Sequence, residues 1–335
     1  MTGRHRDVYG LLPGLRVGIE AARDDVRCHF DAEYGSASAT VDVASPELEV
    51  AFRTVEAARV GGGHKSVRWR VDLGEPRPDA LRARIELRGA PRSFALSLVQ
   101  GYFVEPLISL AAPSAGSVLL PCAAIRTDEG LLLLLGKSRS GKSSLAVRAL
   151  AAGATVLGDD QVFIDADARC TRFPRRMRFY GDLRQTAPRA YARLPSRDRR
   201  GLRARGVVRR LTRGFVAPPV RVRVADLGVP AGPEPVSVTR VVLIERLPGI
   251  TTIEREEAST DMTVEFGLTL LDEQREKLAA AGPDWNAWIR QIRRSEAQML
   301  RRAFEGHEVE RVGVPLSWTA GEALPILSYL LGIPS

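Results

Sequence analysis

The stretch that most constrains this chain is an apolar run that ends in glycine. The five leucines at 131–135 lead straight into "GKSRSGKSS" at 136–144, and "SSLAVRALAAG" follows at 143–153. An apolar strand without alternation is buried on both faces, as at the centre of an α/β sheet. After it, Leu145, Ala149 and Leu150 share a helical face, and Gly153 supplies a stop. The order is buried strand, glycine-rich loop, amphipathic helix.

Gly136, Lys137, Ser138, Arg139, Ser140, Gly141, Lys142 and Ser143 satisfy the pattern G-x-x-x-x-G-K-[ST] in full. Glycines let the backbone curl so that successive N–H groups point inward at an anion. The helix that follows adds the positive end of its dipole. Gly136, Ser138, Ser140, Gly141, Lys142, Ser143 and Ser144 are the expected nucleotide-binding residues. Lys142 would reach the β/γ-phosphates, and the Ser143 hydroxyl would face Mg²⁺.

Sixteen residues beyond Ser143, "ATVLGDD" reads as the next strand and ends in Asp159 and Asp160. If that strand runs parallel and adjacent to 131–135, both carboxylates lie at the C-terminal sheet edge, where open α/β sheets place ligands. One carboxylate would hold Mg²⁺ and the other would take a proton from an attacking hydroxyl. Paired aspartates after glycine are also common in plain turns. The motif beside them favours function.

"LLLLLGKSRSGKSSLAVRALAAGATVLGDDQVFI" resembles the nucleotide-binding core of the HPr kinase/phosphorylase-like proteins, a group related to phosphoenolpyruvate carboxykinase. The match covers roughly 117–165, and the general layout looks nearest to HPr-kinase-like precursor-peptide kinases. The resemblance implies ATP and Mg²⁺ as cofactors, with Lys142, Asp159 and Asp160 in catalysis. It implies Ser143 and Asp160 as metal ligands and Asp159 as the base. It also implies phosphorylation of a hydroxyl, such as Ser of an acidic or Ser-containing peptide or protein. Two departures stand out. "LLPCAAI" puts Pro121 and Cys122 where relatives often carry His, which argues against reversible phosphorylase chemistry. The "EIRG" signature is absent, which argues against HPr as substrate. A nucleotide-dependent regulatory protein with little turnover and a small-molecule kinase stay open as alternatives.

The remaining sequence sets the frame. A chain of 335 residues suggests about two domains. Residues 1–103 read as an antiparallel β-rich domain. Its candidate strands are "LRVGIEA", "VRCHFDA", "ATVDVA", "SVRWRVDL" at 66–73 and "LRARIELRG" at 81–89, with "GGGH" at 61–64 as a loop. Residues 104–335 read as the nucleotide-binding domain: an α/β P-loop core with a mixed sheet. Its expected elements include a helix at 104–112, a hairpin turning at "DADA", a strand at 236–247, and a helix in which Asp284 is the N-cap and Trp285 and Trp288 face the core. A last strand "EVERVGVPL" and helix "AGEALPILSYLL" close the domain.

Charge is uneven. The chain carries +9, but 172–223 holds 17 arginines and two aspartates, a net +15, which leaves −6 elsewhere. This Arg-rich insert is expected to attract an acidic partner or to be a solvated loop. Nucleic acid ranks last, because aromatics are not interleaved in a recognisable module. Cys28, Cys122 and Cys170 form no zinc-like pairing or disulfide framework, so a reducing, cytoplasmic setting is expected. Cys28 and His29, read as strand neighbours, would point to opposite faces. No apolar run is seen to reach the roughly 20 residues of a membrane helix, and "MTGRHRDVYG" lacks the apolar core of a signal peptide. A homo-oligomer is compatible with this reading.

Overall fold

The computed structural model describes residues 5–37, 45–77, 80–211, 219–228 and 231–334. They cluster into two compact units, Met1–Leu119 with Leu268–Leu300, and Leu120–Gly267 with Arg301–Ser335. The protein is a mixed α/β chain with mixed sheets and a β-rich N-terminal region. The boundary expected at 103/104 did not foresee that 268–300 would cluster with the N-terminal strands.

The first unit contains strands β1 (His5–Leu12) and β2 (Leu15–Ala21), helix α1 (Asp24–Tyr34), and strands β3 (Leu48–Phe52), β4 (Val60–His64), β5 (Val67–Leu73) and β6 (Leu81–Arg88). Their order is β1-β2-β3-β6-β5-β4. The sheet is mixed rather than antiparallel, since β3 runs parallel to both β2 and β6. The reason lies in "VRCHFDA", which belongs to α1 and not to a strand. Val26, His29, Phe30, Glu33 and Tyr34 are buried at helical spacing. The helix supplies the crossover that parallel neighbours require. Cys28 and His29 are therefore helix neighbours, and His29 Nε2 sits 2.9 Å from Gln100 Oε1.

"GGGH" is the edge strand β4 rather than a loop. A Cβ at Gly62 would come within 3.0 Å of the Trp69 indole, so glycine lets the two strands close over that ring. "ATVDVA" lies outside the described residues. Helices α2 (Arg92–Val99) and α3 (Glu105–Ala111) belong to one helical run, Arg92–Ala115, with a mean hydropathy of 1.4 over its most apolar window. By length and composition this run could cross a membrane, but 72% of that window is buried inside the protein, so no clear membrane span is present among the described residues. Gln100 and Glu105 interrupt the run and pair at 2.8 Å.

Strand β7 (Ser117–Leu120) ends at the division between the units. The second unit continues with β8 (Cys122–Thr127), β9 (Gly130–Gly136), α4 (Lys142–Ala152), β10 (Val156–Gly158), β11 (Val162–Asp165) and β12 (Arg169–Arg172). The β11–β12 hairpin turns at "DADA" as expected, where Asp165 accepts from the backbone N–H groups of Asp167 and Arg169. Next come β13 (Met177–Phe179), α5 (Leu183–Thr186), α6 (Pro188–Arg193), α7 (Ser196–Leu211), β14 (Val220–Val222), β15 (Val236–Leu247) and β16 (Glu254–Glu257). Helices α8 (Thr260–Ala279) and α9 (Pro283–Phe304) each contribute to both units, and β17 (Glu308–Pro315) and α10 (Ala320–Leu330) complete the second. Asp284 lies in the first turn of α9 rather than at its N-cap, and pairs with Arg59 at 2.5 Å. Trp285 and Trp288 are core residues, with rings edge to face at 5.4 Å.

The second sheet runs β10-β8-β9-β15-β12-β11, and β17 pairs with both β15 and β16. Strand β15 is parallel to β9 and β17, so three strand ends point to one edge. Leu132 and Leu134 face a core shared with Leu145, Ala149 and Leu150 of α4 and with Leu324 and Leu327 of α10. The Arg-rich segment enters the same core through Met177, Phe179, Leu183, Leu202, Val220 and Val222. Burial of such side chains stabilises by roughly 1.5–3 kcal/mol each. The described part of this segment is thus folded onto the sheet unit rather than a solvated loop; 212–218 lie outside the described residues.

Candidate functional site

Strand β9 delivers Gly136 to the sheet edge, and α4 begins at Lys142. Between them the backbone turns back on itself. Gly141 has φ +108°, a left-handed conformation that glycine adopts without strain. Gly136 has no room for a side chain: a Cβ there would lie 2.6 Å from Ser140 Oγ and 2.8 Å from the Ile244 carbonyl oxygen of β15.

Lys142 Nζ turns back into this curl and donates to the carbonyls of Gly136 and Lys137, the latter at 3.2 Å. Its ammonium is buried, which lowers its pKa, while Asp160, Cys122 and Asp159 act against the shift. Ser140 is 4% exposed, and its hydroxyl has no hydrogen-bond partner among the described residues. Buried hydroxyls are normally satisfied, so an orphan inside a loop of this shape is notable. Ser138 sits exposed at the loop tip, and Ser143 and Ser144 are half-buried on the first turn of α4.

The aspartates arrive by a different route from the one expected. Strand β10 is not adjacent to β9, because β8 lies between them. The β8–β9 hairpin occupies the neighbouring place, so the β9–α4–β10 crossover passes over it. Both β9 and β10 run antiparallel to β8, so they share a direction and their C-terminal ends share an edge. The Ser143 hydroxyl donates to the Asp159 carbonyl at 3.1 Å, which ties the two stretches together directly.

Asp160 forms an ion pair with Arg175 at 3.0 Å, and Arg175 also donates to Gln161 Oε1 at 3.2 Å. The Arg175 side chain is only 7% exposed, whereas that of Asp160 keeps 47% of its surface open. Recession from solvent, then repulsion from Asp160, raises the Asp159 pKa to about 6, against the pull of Arg175 and Arg178. The same recession acts on Asp160, but Arg175, Arg178 and Lys142 outweigh it and hold this carboxyl below its ordinary range. The two carboxyls are thereby set apart, one readier to take a proton and one held as an anion. Cys122 is fully buried, and burial pushes its thiol up to about 12.

The sequence-predicted residues of the loop and the aspartate pair therefore meet at one sheet edge. Arg175, Arg178 and Gln161 were not singled out. "GDDQ" and the basic "PRR" at 174–176 held the signal, but only the folding of β11, β12 and β13 turns it toward the carboxylates. Mg²⁺ fits the hard oxygen donors that Ser143 and Asp160 offer. Among the described residues no three His, Cys, Asp or Glu side chains gather into a metal cluster, so phosphate oxygens and water would complete the coordination. No family model matches the chain, and no curated protein matches it.

Proposed function

We propose that this chain is an ATP-Mg²⁺-dependent phosphotransferase with a P-loop core, acting on a hydroxyl such as Ser of a peptide or protein. The observation that carries the reading is the junction between the glycine loop and the aspartate pair. A buried lysine and an orphaned serine hydroxyl line the curl, Ser143 bonds the main-chain carbonyl of Asp159, and the charges of Asp159 and Asp160 act on Lys142. The N–H groups of 137–143 and Lys142 would bind the β- and γ-phosphates, with the N-terminus of α4 adding its dipole. Mg²⁺, when bound, supplies charge neutralisation on those phosphates.

Asp159 would take the proton of the acceptor hydroxyl as its oxygen forms the new bond to the γ-phosphorus. The bond from that phosphorus to the β–γ bridging oxygen breaks, and ADP departs. Asp160 would hold the metal, and Arg175, next to it, would be released toward the phosphate charge. The Arg175–Asp160 pair also favours a second reading, a nucleotide-dependent regulatory protein with little turnover, since that pair competes with a metal for the same carboxylate.

Single-turnover transfer from labelled ATP to Ser-containing peptides, run with parallel ATP titrations, tests the roles. Asp159→Asn is expected to keep ATP affinity and lose transfer by about 10²–10⁴-fold. Asp160→Asn is expected to raise the Mg²⁺ requirement and weaken ATP binding. Parent-like behaviour in both variants would reduce the aspartates to a turn. ATP binding by the parent with no transfer to any acceptor would select the regulatory reading.

A further inference from the structure

Helix α7 is a long helix with almost nothing buried. Of its 16 residues only Leu202 enters the core. At 100° per residue, Arg197, Arg200, Ala204, Val207, Val208 and Leu211 lie on one face, roughly opposite Leu202. Every one of these six is exposed; Val207 keeps 54% and Leu211 79% of its surface. The inner side is tied down: Arg205 donates to the Pro219 carbonyl, and Arg209 lies 4.0 Å from Asp182. The outer side carries charge without compensation. The side chains of Arg197 and Arg200 there, and of Arg210 on the flank, make no hydrogen bond or ion pair with any described residue. Arg199 and Arg203 donate only to the neutral oxygens of Ser196 and Tyr191.

Continuity with the candidate site comes through the core. Leu202 packs in the cluster that holds Met177, Phe179, Val220 and Val222 of the β13–β14 pair. Strand β13 also carries Arg178, whose charge acts on both Asp159 and Asp160. One basic element therefore reaches from the aspartate pair to the outer face of α7.

We infer that the outer face of α7 docks the acceptor: a peptide segment in which carboxylates are followed by apolar side chains, and which carries the reacting hydroxyl. This rests on the phosphotransferase reading and deepens it. Carboxylates match the forked guanidinium donors of Arg197 and Arg200. Apolar side chains match the Val207, Val208 and Leu211 end, which offers nothing to a phosphate backbone. Stacking platforms for bases are missing from this face, and three aliphatic residues on the last turns fall short of the broad apolar stripe of a membrane-surface helix.

The test is fluorescence anisotropy of a labelled peptide with an acidic block, a Leu/Val block and one Ser, titrated with the full chain at low and moderate salt. Competitors are a single-stranded oligonucleotide of equal charge and phosphatidylserine vesicles. The parent is expected to bind the peptide more tightly than either competitor, and less tightly as salt rises. Arg197→Glu/Arg200→Glu should weaken peptide binding about tenfold or more, as charge-assisted bonds turn into repulsions. Arg197→Lys/Arg200→Lys should keep most of it. Calorimetry with ATP-Mg²⁺ on the same variants should match the parent, which separates this inference from the nucleotide reading. No peptide binding, equal binding by the Glu variant, or tighter binding of oligonucleotide or vesicles would each overturn the docking assignment. Loss of ATP binding in the parent would instead count against the phosphotransferase.

Discussion

Two groups of arginines in the second unit have the same chemistry and opposite employment. Along β15, β16 and β17, arginines are matched to glutamates across strands. Glu310 takes Arg240 at 2.6 Å and also Arg255, while Arg311 joins Glu245 at 2.5 Å and Glu256 at 2.6 Å. On α7, by contrast, Arg197 and Arg200 face outward, and the acids that act on its arginines, Asp182 beside Arg209 and Asp198 on Arg205, serve its inner side. The difference teaches how to read an arginine-rich sequence. Composition is shared by both regions, so a high arginine count says little. Pairing separates charge that holds the fold from charge turned to solvent.

The strongest way to break that comparison lies in the most enclosed pair, which is in the first unit. Arg275 and Glu296 have side chains 1% and 0% exposed, bonded at 2.5 Å, and Arg275 also reaches Ser109 Oγ at 2.6 Å. Glu296→Ala would leave a buried cation without its anion. The expected cost is about 3–5 kcal/mol in urea unfolding. A change below about 1 kcal/mol, no more than an exposed ion pair is worth, would mean that acid-matched arginines are not structural here.

A smaller effect is expected at Glu310, whose side chain is 8% exposed while Arg255 stays 45% exposed. Glu310→Gln should cost about 1.5–3 kcal/mol at neutral pH, the range of hydrogen bonds to charged groups. Burial tends to raise the Glu310 pKa, but its bonds to Arg255 and Arg240 outweigh that and hold it below the ordinary 4.5. A depressed folded pKa contributes stability above the unfolded value and loses it as pH falls through the folded one. The gap between parent and variant should therefore be constant above about pH 5 and close at lower pH. A gap that persists unchanged in acid would contradict the pairing.

The smallest effect belongs to α7. Arg200→Gln and Arg210→Gln should each shift stability by less than about 0.5 kcal/mol, as for surface residues without partners. A loss near that of Glu310→Gln would show that these arginines serve the fold and would weaken the docking inference.

Sequence periodicity exposed the parts of this fold in which local pattern and tertiary role agree. Strand 236–247, the 131–135 strand, the "DADA" hairpin and the closing strand and helix were all readable, because burial on one or both faces writes itself into spacing. The failures have physical causes. In α1, seven residues with apolar positions at 26, 28 and 30 mimic a strand, and only Tyr34 completes the helical stripe. Strand β4 is mostly glycine, and its strand character comes from pairing with β5 and covering Trp69. At the candidate site, loop residues and aspartates were visible as motifs, while the strand inserted between β9 and β10 was not. Sheet order depends on which hairpin claims the neighbouring place, and no local pattern encodes that. Arg175 was hidden among 17 arginines until its burial against Asp160 set it apart.

The central claim is that the loop at 136–144 binds nucleotide phosphate through Lys142. Calorimetry of ATP-Mg²⁺ against the parent and Lys142→Ala, in one buffer and at one salt concentration, addresses it most directly. The account predicts a saturable, one-to-one isotherm for the parent. It predicts affinity weaker by about tenfold or more in the variant, as loss of a buried ammonium facing phosphate removes at least one charge-assisted interaction. No binding by the parent, or equal affinity in the two proteins, would contradict it.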